Sequence, residues 1–263
     1  MSLNAVFFHF PGLAHVHCLF PLRDQDLSED GDARLGGNLS FEVGDSRERV
    51  RSTRKRLLDC YRGFGLKRLC DAHQVHACDL LFLEEKALGD DPVLDAGLSL
   101  QAADGLATCE AGLGLLIKTA DCQPLLITDK NGRFLLALHV GWRGNASDFI
   151  AKAIETFCRR FALKASDLLA VRGPSLGPDK AEFVHFQREW PERFSPWFDS
   201  RSRSMDLWGL TRYQLTQAGL APRHIYGLDL CTATNSQCFS YRRDKVCGRQ
   251  GGIIWREAQP NEE

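Results

Sequence analysis

Apolar residues along this chain gather in short runs separated by polar turns. The runs Val6–Phe10, Val16–Phe20, Asp79–Leu83, Leu113–Ile117, Leu125–Thr128, Phe134–Val140, Leu168–Val171 and Ile225–Leu230 read as strands. Helical spacing is rarer. Ile150, Ala153, Ile154, Phe157, Cys158 and Phe161 repeat with that period, which predicts a helix from Ser147 to Phe161 with Ser147 as its N-cap. A second helix is expected from Ser46 to Cys60, and a third from Asp206 to Ala218 with Gly219 placed to end it. The least apolar early stretch, Arg23 to Asn38, reads as a surface loop. Strands neither alternate regularly with helices nor stand alone. The pattern therefore predicts an α+β fold, a β-rich core with helices packed outside, rather than a doubly wound sheet. No repeat, low-complexity tract or linker divides the chain, so residues 1–263 are expected to form a single domain.

Composition narrows the picture. With 44% hydrophobic and 25% charged residues, the chain is too apolar for a disordered protein. A net charge of −1 argues against a surface built to neutralise nucleic-acid or membrane phosphates. Arg47, Arg49, Arg51, Arg54, Lys55 and Arg56 cluster on the second helix, but without interleaved aromatic residues they read as a solvated face. No window approaches the ~18 apolar residues of a membrane span. Met1 to Phe10 carries no basic leader, so a cytoplasmic location with reduced thiols is expected. None of the ten Cys are spaced C-x-x-C, which removes zinc-ribbon and thioredoxin-type sites.

Among motifs, neither a P-loop nor a dinucleotide fingerprint is present. Gly173-Pro174-Ser175-Leu176-Gly177 matches the serine-hydrolase G-x-S-x-G, with Ser175 as nucleophile, Asp206 or Asp229 as orienter and His224 as base. Pro174 and Pro178 argue against the strand-to-helix elbow that motif needs, and the plain alternative is a loop shaped by Gly and Pro. A stronger constellation joins His73-Gln74-Val75-His76, Ala120-Asp121-Cys122-Gln123-Pro124 and His139-Val140-Gly141-Trp142-Arg143-Gly144. Cys122 lies between two strand-like runs, and His139 closes a run before a Gly-Trp-Arg-Gly turn. Side chains at such strand ends emerge into sites. A thiolate and neutral imidazoles suit zinc, and three protein ligands leave a fourth position open, as catalytic zinc requires. Taken singly, a His or Cys on an apolar strand is more often there for packing than as a ligand, and spacing alone does not show that the three converge.

These segments, together with Ala103-Asp104-Gly105, the Gly-x-Ser-x-Gly loop, Cys231-Thr232-Ala233-Thr234-Asn235, Phe239-Ser240-Tyr241-Arg242-Arg243-Asp244, Gly248-Arg249 and Ile253-Ile254-Trp255, resemble in order the motifs of the laccase-domain (YfiH-like) family. Its members were first called multicopper polyphenol oxidoreductases and are now associated with zinc-dependent purine nucleoside chemistry. The resemblance runs from about Gly36 to Trp255. It implies a β-sandwich-like mixed-sheet core with outer helices. It also implies His76, Cys122 and His139 as metal ligands, with His73 left out because the family pattern is Gln-Val-His. The implied activity is phosphorolysis of adenosine, inosine, guanosine and methylthioadenosine, with deamination of adenosine. Purine nucleosides and phosphate are the implied partners, with neither nucleic acid nor membrane. Zn2+ is the implied cofactor and copper the alternative metal.

Phosphorolysis needs cationic groups for phosphate. Arg143 is the first candidate. Arg243 and Arg242 follow, of which at most one faces the site if they lie on an extended strand. Asp121, beside Cys122, is a candidate acid/base or a strand anchor. Asn38 is a candidate substrate contact or a turn cap. A copper-dependent laccase would need a further multinuclear cluster, and eight His with one His-x-His pair, His15-Val16-His17, are few for that. A non-enzymatic zinc-containing interaction module also stays open, with Cys231 as the residue that could close a structural site. The segments around Pro21-Leu22-Arg23-Asp24 and after Gly177 match the family loosely, which leaves substrate preference less constrained than the metal site.

Overall fold

The computed structural model describes residues 4–24, 32–84, 86, 88–93 and 101–259, so residues 25–31 of the expected loop from Arg23 to Asn38 lie outside the described residues. The strands are β1 (Ala5–Phe8), β2 (Val16–Pro21), β3 (Arg68–Cys70), β4 (Leu80–Leu83), β5 (Gly105–Thr108), β6 (Leu113–Thr119), β7 (Gln123–Asp129), β8 (Leu135–Val140), β9 (Leu168–Arg172), β10 (Phe198–Asp199), β11 (Ser204–Met205), β12 (Ile225–Gly227) and β13 (Gln250–Arg256). One sheet has the order β1-β2-β13-β6-β3, and a second has the order β12-β9-β7-β8-β5-β4. Most neighbours are antiparallel, but β3 on β6, β4 on β5 and β12 on β9 are parallel. The α-helices are α1 (Arg47–Tyr61), α2 (Trp142–Ala146), α3 (Phe149–Phe161), α4 (Phe186–Glu189) and α5 (Leu207–Gln217). The expected α+β arrangement of a sandwich-like core and outer helices is the observed one.

Side-chain alternation explains the layering. Cys18 and Phe20 of β2, Leu115 and Ile117 of β6 and Ile254 of β13 meet Leu126 of β7, Leu135 and Ala137 of β8 and Val171 of β9 between the two sheets. Residues of opposite parity point outward. Leu19, Leu116, Ile253 and Trp255 pack under Leu57, Leu58 and Tyr61 of α1. Leu125, Ile127, Leu136 and Leu138 pack under Ile150, Ile154 and Phe157 of α3. The result is four layers, helix on sheet on sheet on helix. Burying each such side chain stabilises the fold by about 1.5–3 kcal/mol.

The helix ends show where local reading succeeded. Ser46 caps α1, accepting a hydrogen bond from the Arg49 amide at 3.4 Å, and Asp206 caps α5, accepting from the Gly209 amide at 2.9 Å. Gly219, in the left-handed region, follows α5 as expected. Three readings are corrected. Ser147 ends the short α2 instead of capping α3, which begins at Phe149 after a left-handed Asp148. The apolar run after Gly227 leaves the sheet, so β12 stops short of Leu230. Arg54 is not on a solvated face: it is fully buried, and its guanidinium forms a two-point ion pair with Asp71.

Candidate metal centre

Cys122 lies in the three-residue connection from β6 of one sheet to β7 of the other. That crossing is tight, and Asp121 takes a φ of 99°, a conformation costing of order 1–3 kcal/mol for a residue with a side chain. Asp121 offsets the cost with its own hydrogen bonds. Its carboxylate accepts from Thr232 Oγ1 and from the Arg242 amide, both at 2.6 Å, and its carbonyl accepts from the Leu176 amide at 2.9 Å. Both carboxylate oxygens are thus engaged in pinning loops around Cys122, the anchor role rather than that of a free acid/base.

His139 follows Leu135 and Ala137 on the inter-sheet face of β8, at the end of the strand where the hydrophobic layer gives out. His76 comes from the loop after β3 and also has positive φ, 60°. Despite separate origins, the ligand atoms of His76, Cys122 and His139 all lie within 4.8 Å of one another. Cys122 Sγ is 3.7 Å from His76 Nε2, and the two imidazoles meet edge to face with centroids 4.7 Å apart. Gly141 makes this approach possible, since a Cβ there would stand 3.0 Å from His76 Cδ2 and 3.1 Å from Cys122 Sγ. One thiol and two imidazoles around a point left clear by a glycine fit a zinc ion with an open coordination position.

A fourth residue, assigned no role from sequence, underlies the three. Asp104, fully buried at the start of β5, accepts from His139 Nδ1 at 2.7 Å and from the amides of Val75, His76 and Ala77 at 3.2, 3.0 and 2.7 Å. The clue available beforehand was its motif, Ala103-Asp104-Gly105, an acid between two small residues. Burial alone would push the Asp104 carboxyl up, but His139 and these amides outweigh it and hold the group below its ordinary value. Burial likewise disfavours the Cys122 thiolate, yet the neighbouring imidazoles of His139 and His76 bring the thiol down to about 6. Burial opposes charge on His139 too, and the Cys122 thiolate with Asp104 raises it to about 9. These shifts favour a Cys122 thiolate beside a protonated His139 at neutral pH, and a metal ion entering the site would displace the imidazole Nε2 proton.

The three residues stand in the wall of a cavity of about 810 Å³ that is also lined by Trp142, Arg143, Phe183, Tyr241, Arg242 and Lys245. Arg143 is exposed, stacked over the Trp142 ring at 4.4 Å, and has no acceptor among the described residues. Arg242 lines the cavity while its guanidinium donates to the Glu182 carbonyl. Arg243, by contrast, turns away. Its guanidinium donates to the carbonyls of Thr232, Asn235 and Cys238 and pairs with Asp244, which corrects its placement as a substrate contact. The two arginines occupy a turn, where the two-face rule of a strand does not apply. Asn38 is corrected in the same way. It is buried outside the cavity wall, and its amide is spent on Ser40, Asp45 and Arg249.

Ser175 is fully buried, its Oγ accepting from Arg172 Nη1 and Trp208 Nε1, two donors that cannot serve as a base. Asp206 caps α5 and Asp229 pairs with Arg172, so the hydrolase arrangement is not assembled. His73 borders the cavity but pairs through Nδ1 with Glu42, outside the ligand cluster. Cys231 Sγ accepts from the Gly177 amide at 3.2 Å and does not join the cluster either.

The family model described as multi-copper polyphenol oxidoreductase laccase matches residues 17–257. A protein named purine nucleoside phosphorylase from Xylella fastidiosa is 33% identical over 230 residues, covering 83% of each chain. Purine nucleoside phosphorylase YlmD of Geobacillus stearothermophilus is 30% identical over 232 residues, covering 84% of each. The crystal structure of YlmD from that organism superposes with a TM-score of 0.84 over 98% of both chains, a likeness in fold at 24% identity. The chain belongs to the multi-copper polyphenol oxidoreductase laccase family.

Proposed function

We propose that this member of the family is a zinc-dependent purine nucleoside enzyme that carries out phosphorolysis of adenosine, inosine and guanosine, and of methylthioadenosine, and that also deaminates adenosine. The observation carrying the proposal is that the His76–Cys122–His139 cluster opens onto a cavity with an unengaged arginine at its edge. The cavity volume, about 810 Å³, is that of a small-molecule site. Relatives named purine nucleoside phosphorylase support the same reading.

Phosphorolysis requires a phosphate oxygen to attack the ribose C1′ while the bond to the purine nitrogen breaks and its electron pair leaves with the base. Arg143 is suited to hold the phosphate, because its guanidinium is oriented by the Trp142 ring and has no competing acceptor among the described residues. Arg242 and Lys245 add positive charge along the same wall, Lys245 with its ammonium 5.0 Å from the Tyr241 ring centre. Tyr241 and Phe183 offer apolar faces for a purine. His76, Cys122 and His139 would hold the metal, and Zn2+ when bound supplies Lewis-acid charge at that end of the cavity. In deamination the same enclosure orients the purine while water replaces the amino group and ammonia leaves. No helix among the described residues is long and apolar enough to cross a membrane, and a cytoplasmic site of action is part of the proposal.

The test is incubation of zinc-loaded and copper-loaded protein with each nucleoside and phosphate, followed by analysis for free base, ribose 1-phosphate and inosine. Free base that requires phosphate is the expected result. Zinc-loaded protein that yields neither free purine nor inosine from adenosine overturns the proposal. Oxidation of a polyphenol by the copper form alone would transfer the assignment to the family's older name.

A further inference from the structure

We infer that Asp104 is the positioning residue of the metal centre, holding His139 in its Nδ1–H tautomer and clamping the 75–77 loop so that both imidazoles present Nε2 beside the Cys122 sulfur. The inference rests on the metal-centre reading and deepens it. An ionised carboxylate only accepts hydrogen bonds. The 2.7 Å contact between Asp104 Oδ1 and His139 Nδ1 therefore keeps a proton on Nδ1 and makes Nε2 the ring nitrogen that can give up its proton to a metal. The carbonyl of Asp104 extends the hold, accepting from the His139 amide at 2.7 Å, so backbone and ring are fixed from one residue.

The other side of the carboxylate does different work. Oδ2 accepts from the amides of Val75 and Ala77, while Oδ1 also accepts from the amide of His76. Three successive amides directed at one anion form a backbone nest. That nest holds His76 at its positive φ of 60°, a conformation a lone loop histidine would leave for a less strained one. One buried side chain thus joins two ligands that come from separate elements, β8 and the loop after β3, 63 residues apart in the sequence. His76 Nε2 lies 3.7 Å from the Cys122 sulfur, and its ring meets that of His139 edge to face. Carboxylates in this relation to a ligating histidine orient it and raise its basicity, and their loss lowers metal affinity by about 10–100-fold.

Two measurements test the inference. The first uses the unaltered protein loaded with zinc, in which long-range proton–nitrogen NMR reads the tautomer of His139. A proton on Nδ1 with metal at Nε2 is expected; coordination through Nδ1 overturns the inference while leaving the metal centre standing. The second titrates Co2+ and Zn2+ into wild type, Asp104→Asn and Asp104→Glu, following the thiolate-to-cobalt absorption band. Asn keeps the shape but turns an N–H donor toward the loop amides, so affinity should fall about 10–100-fold with an altered band, and Glu should restore part of both. Wild-type affinity and spectrum in Asp104→Asn overturn the inference. Should Asp104→Asn fail to fold, the tautomer in the wild-type protein decides alone. Absence of any thiolate band in the wild type removes the metal centre and this inference together.

Discussion

Two clusters of polar side chains lie near the same end of the sandwich, and they differ in how completely they satisfy themselves. Arg54, Asp71 and Lys118 close on one another. The five N–H bonds of Arg54 reach the carbonyls of Leu39 and Val93 and both oxygens of Asp71, and the Lys118 ammonium reaches Asp71, Glu42 and the Ala72 carbonyl. No capacity is left over. In the cluster of His76, Cys122, His139 and Asp104, the supporting bonds are equally good, but they lie behind the ligands. The atoms in front, two imidazole nitrogens and a sulfur, converge within 4.8 Å with the cavity beside them. A closed set of polar bonds lowers the cost of burying charge in a core, whereas ligand atoms converging beside a cavity can take an outside cation. The difference marks the first cluster as architecture and the second as a site.

Substitutions should separate the two roles. The largest expected effect is that of Cys122→Ala, which should abolish metal retention and turnover together while the metal-free protein stays folded. The matching change in the closed cluster, Arg54→Ala, leaves Asp71 buried beside Lys118 with its acceptors unmet and should cost about 3–5 kcal/mol of stability. Circular-dichroism denaturation with metal analysis of both variants checks this, and a Cys122→Ala protein that unfolds while Arg54→Ala does not would invert the contrast.

Acid should act on the closed cluster next. Burial pushes the Asp71 carboxyl up, but the charges of Arg54 and Lys118 prevail and hold it far below the ordinary carboxylate range. A group depressed in the folded state stabilises fully above its unfolded pKa, about 4 for Asp, and that contribution is lost as pH falls toward the folded value. Denaturation midpoints of the wild type should thus drop between roughly pH 5 and pH 2. Asp71→Asn, weaker at neutral pH, should lose less over the same range; an equal slope would show that other carboxylates set the acid limit.

The smallest effects concern Ser175, whose sequence role the fold reassigned, and Arg143, whose role the proposal keeps. Ser175→Ala removes a buried acceptor from Arg172 and Trp208 and should cost about 1–3 kcal/mol in stability with turnover retained. Arg143→Ala should leave the melting temperature unchanged and raise KM for phosphate about 10-fold or more, the scale of a lost charge-assisted hydrogen bond. Steady-state kinetics on both variants would reverse these roles if Ser175→Ala were inactive and Arg143→Ala normal.

How far the chain could be read shows in particular elements. α1 and α5 were legible because a capping side chain and a terminating glycine act within one turn. β7 and β8 were legible as strands, but every residue in them is buried, since both faces are covered. The run Leu135-Leu136-Ala137-Leu138-His139-Val140 consequently lacks alternation, and nothing in it says which face His139 takes. The short β3 and β5, three and four residues long, are too brief for a period to register. Asp104 escaped assignment for a related reason: the ring and amides it holds lie 27 to 35 residues away. Arg54 misled for the opposite one, because a basic helix stretch looks solvated until the carboxylate 17 residues away is brought beneath it.

The sequence by itself determined the class of fold, the approximate positions of α1, α3, α5 and most of the longer strands, and the residues able to bind a metal, because periodicity, capping and donor chemistry are properties of neighbouring residues. Only the tertiary structure decided that His76, Cys122 and His139 meet, that Asp104 bonds the His139 ring and the 75–77 amides, that Arg242 lines the cavity, and that the side chains of Arg243, Asn38 and Ser175 are spent elsewhere. Those outcomes depend on sheet order, strand register and the stacking of two sheets. Such relations are set by the summed packing of distant segments, and no local stretch of the chain contains them.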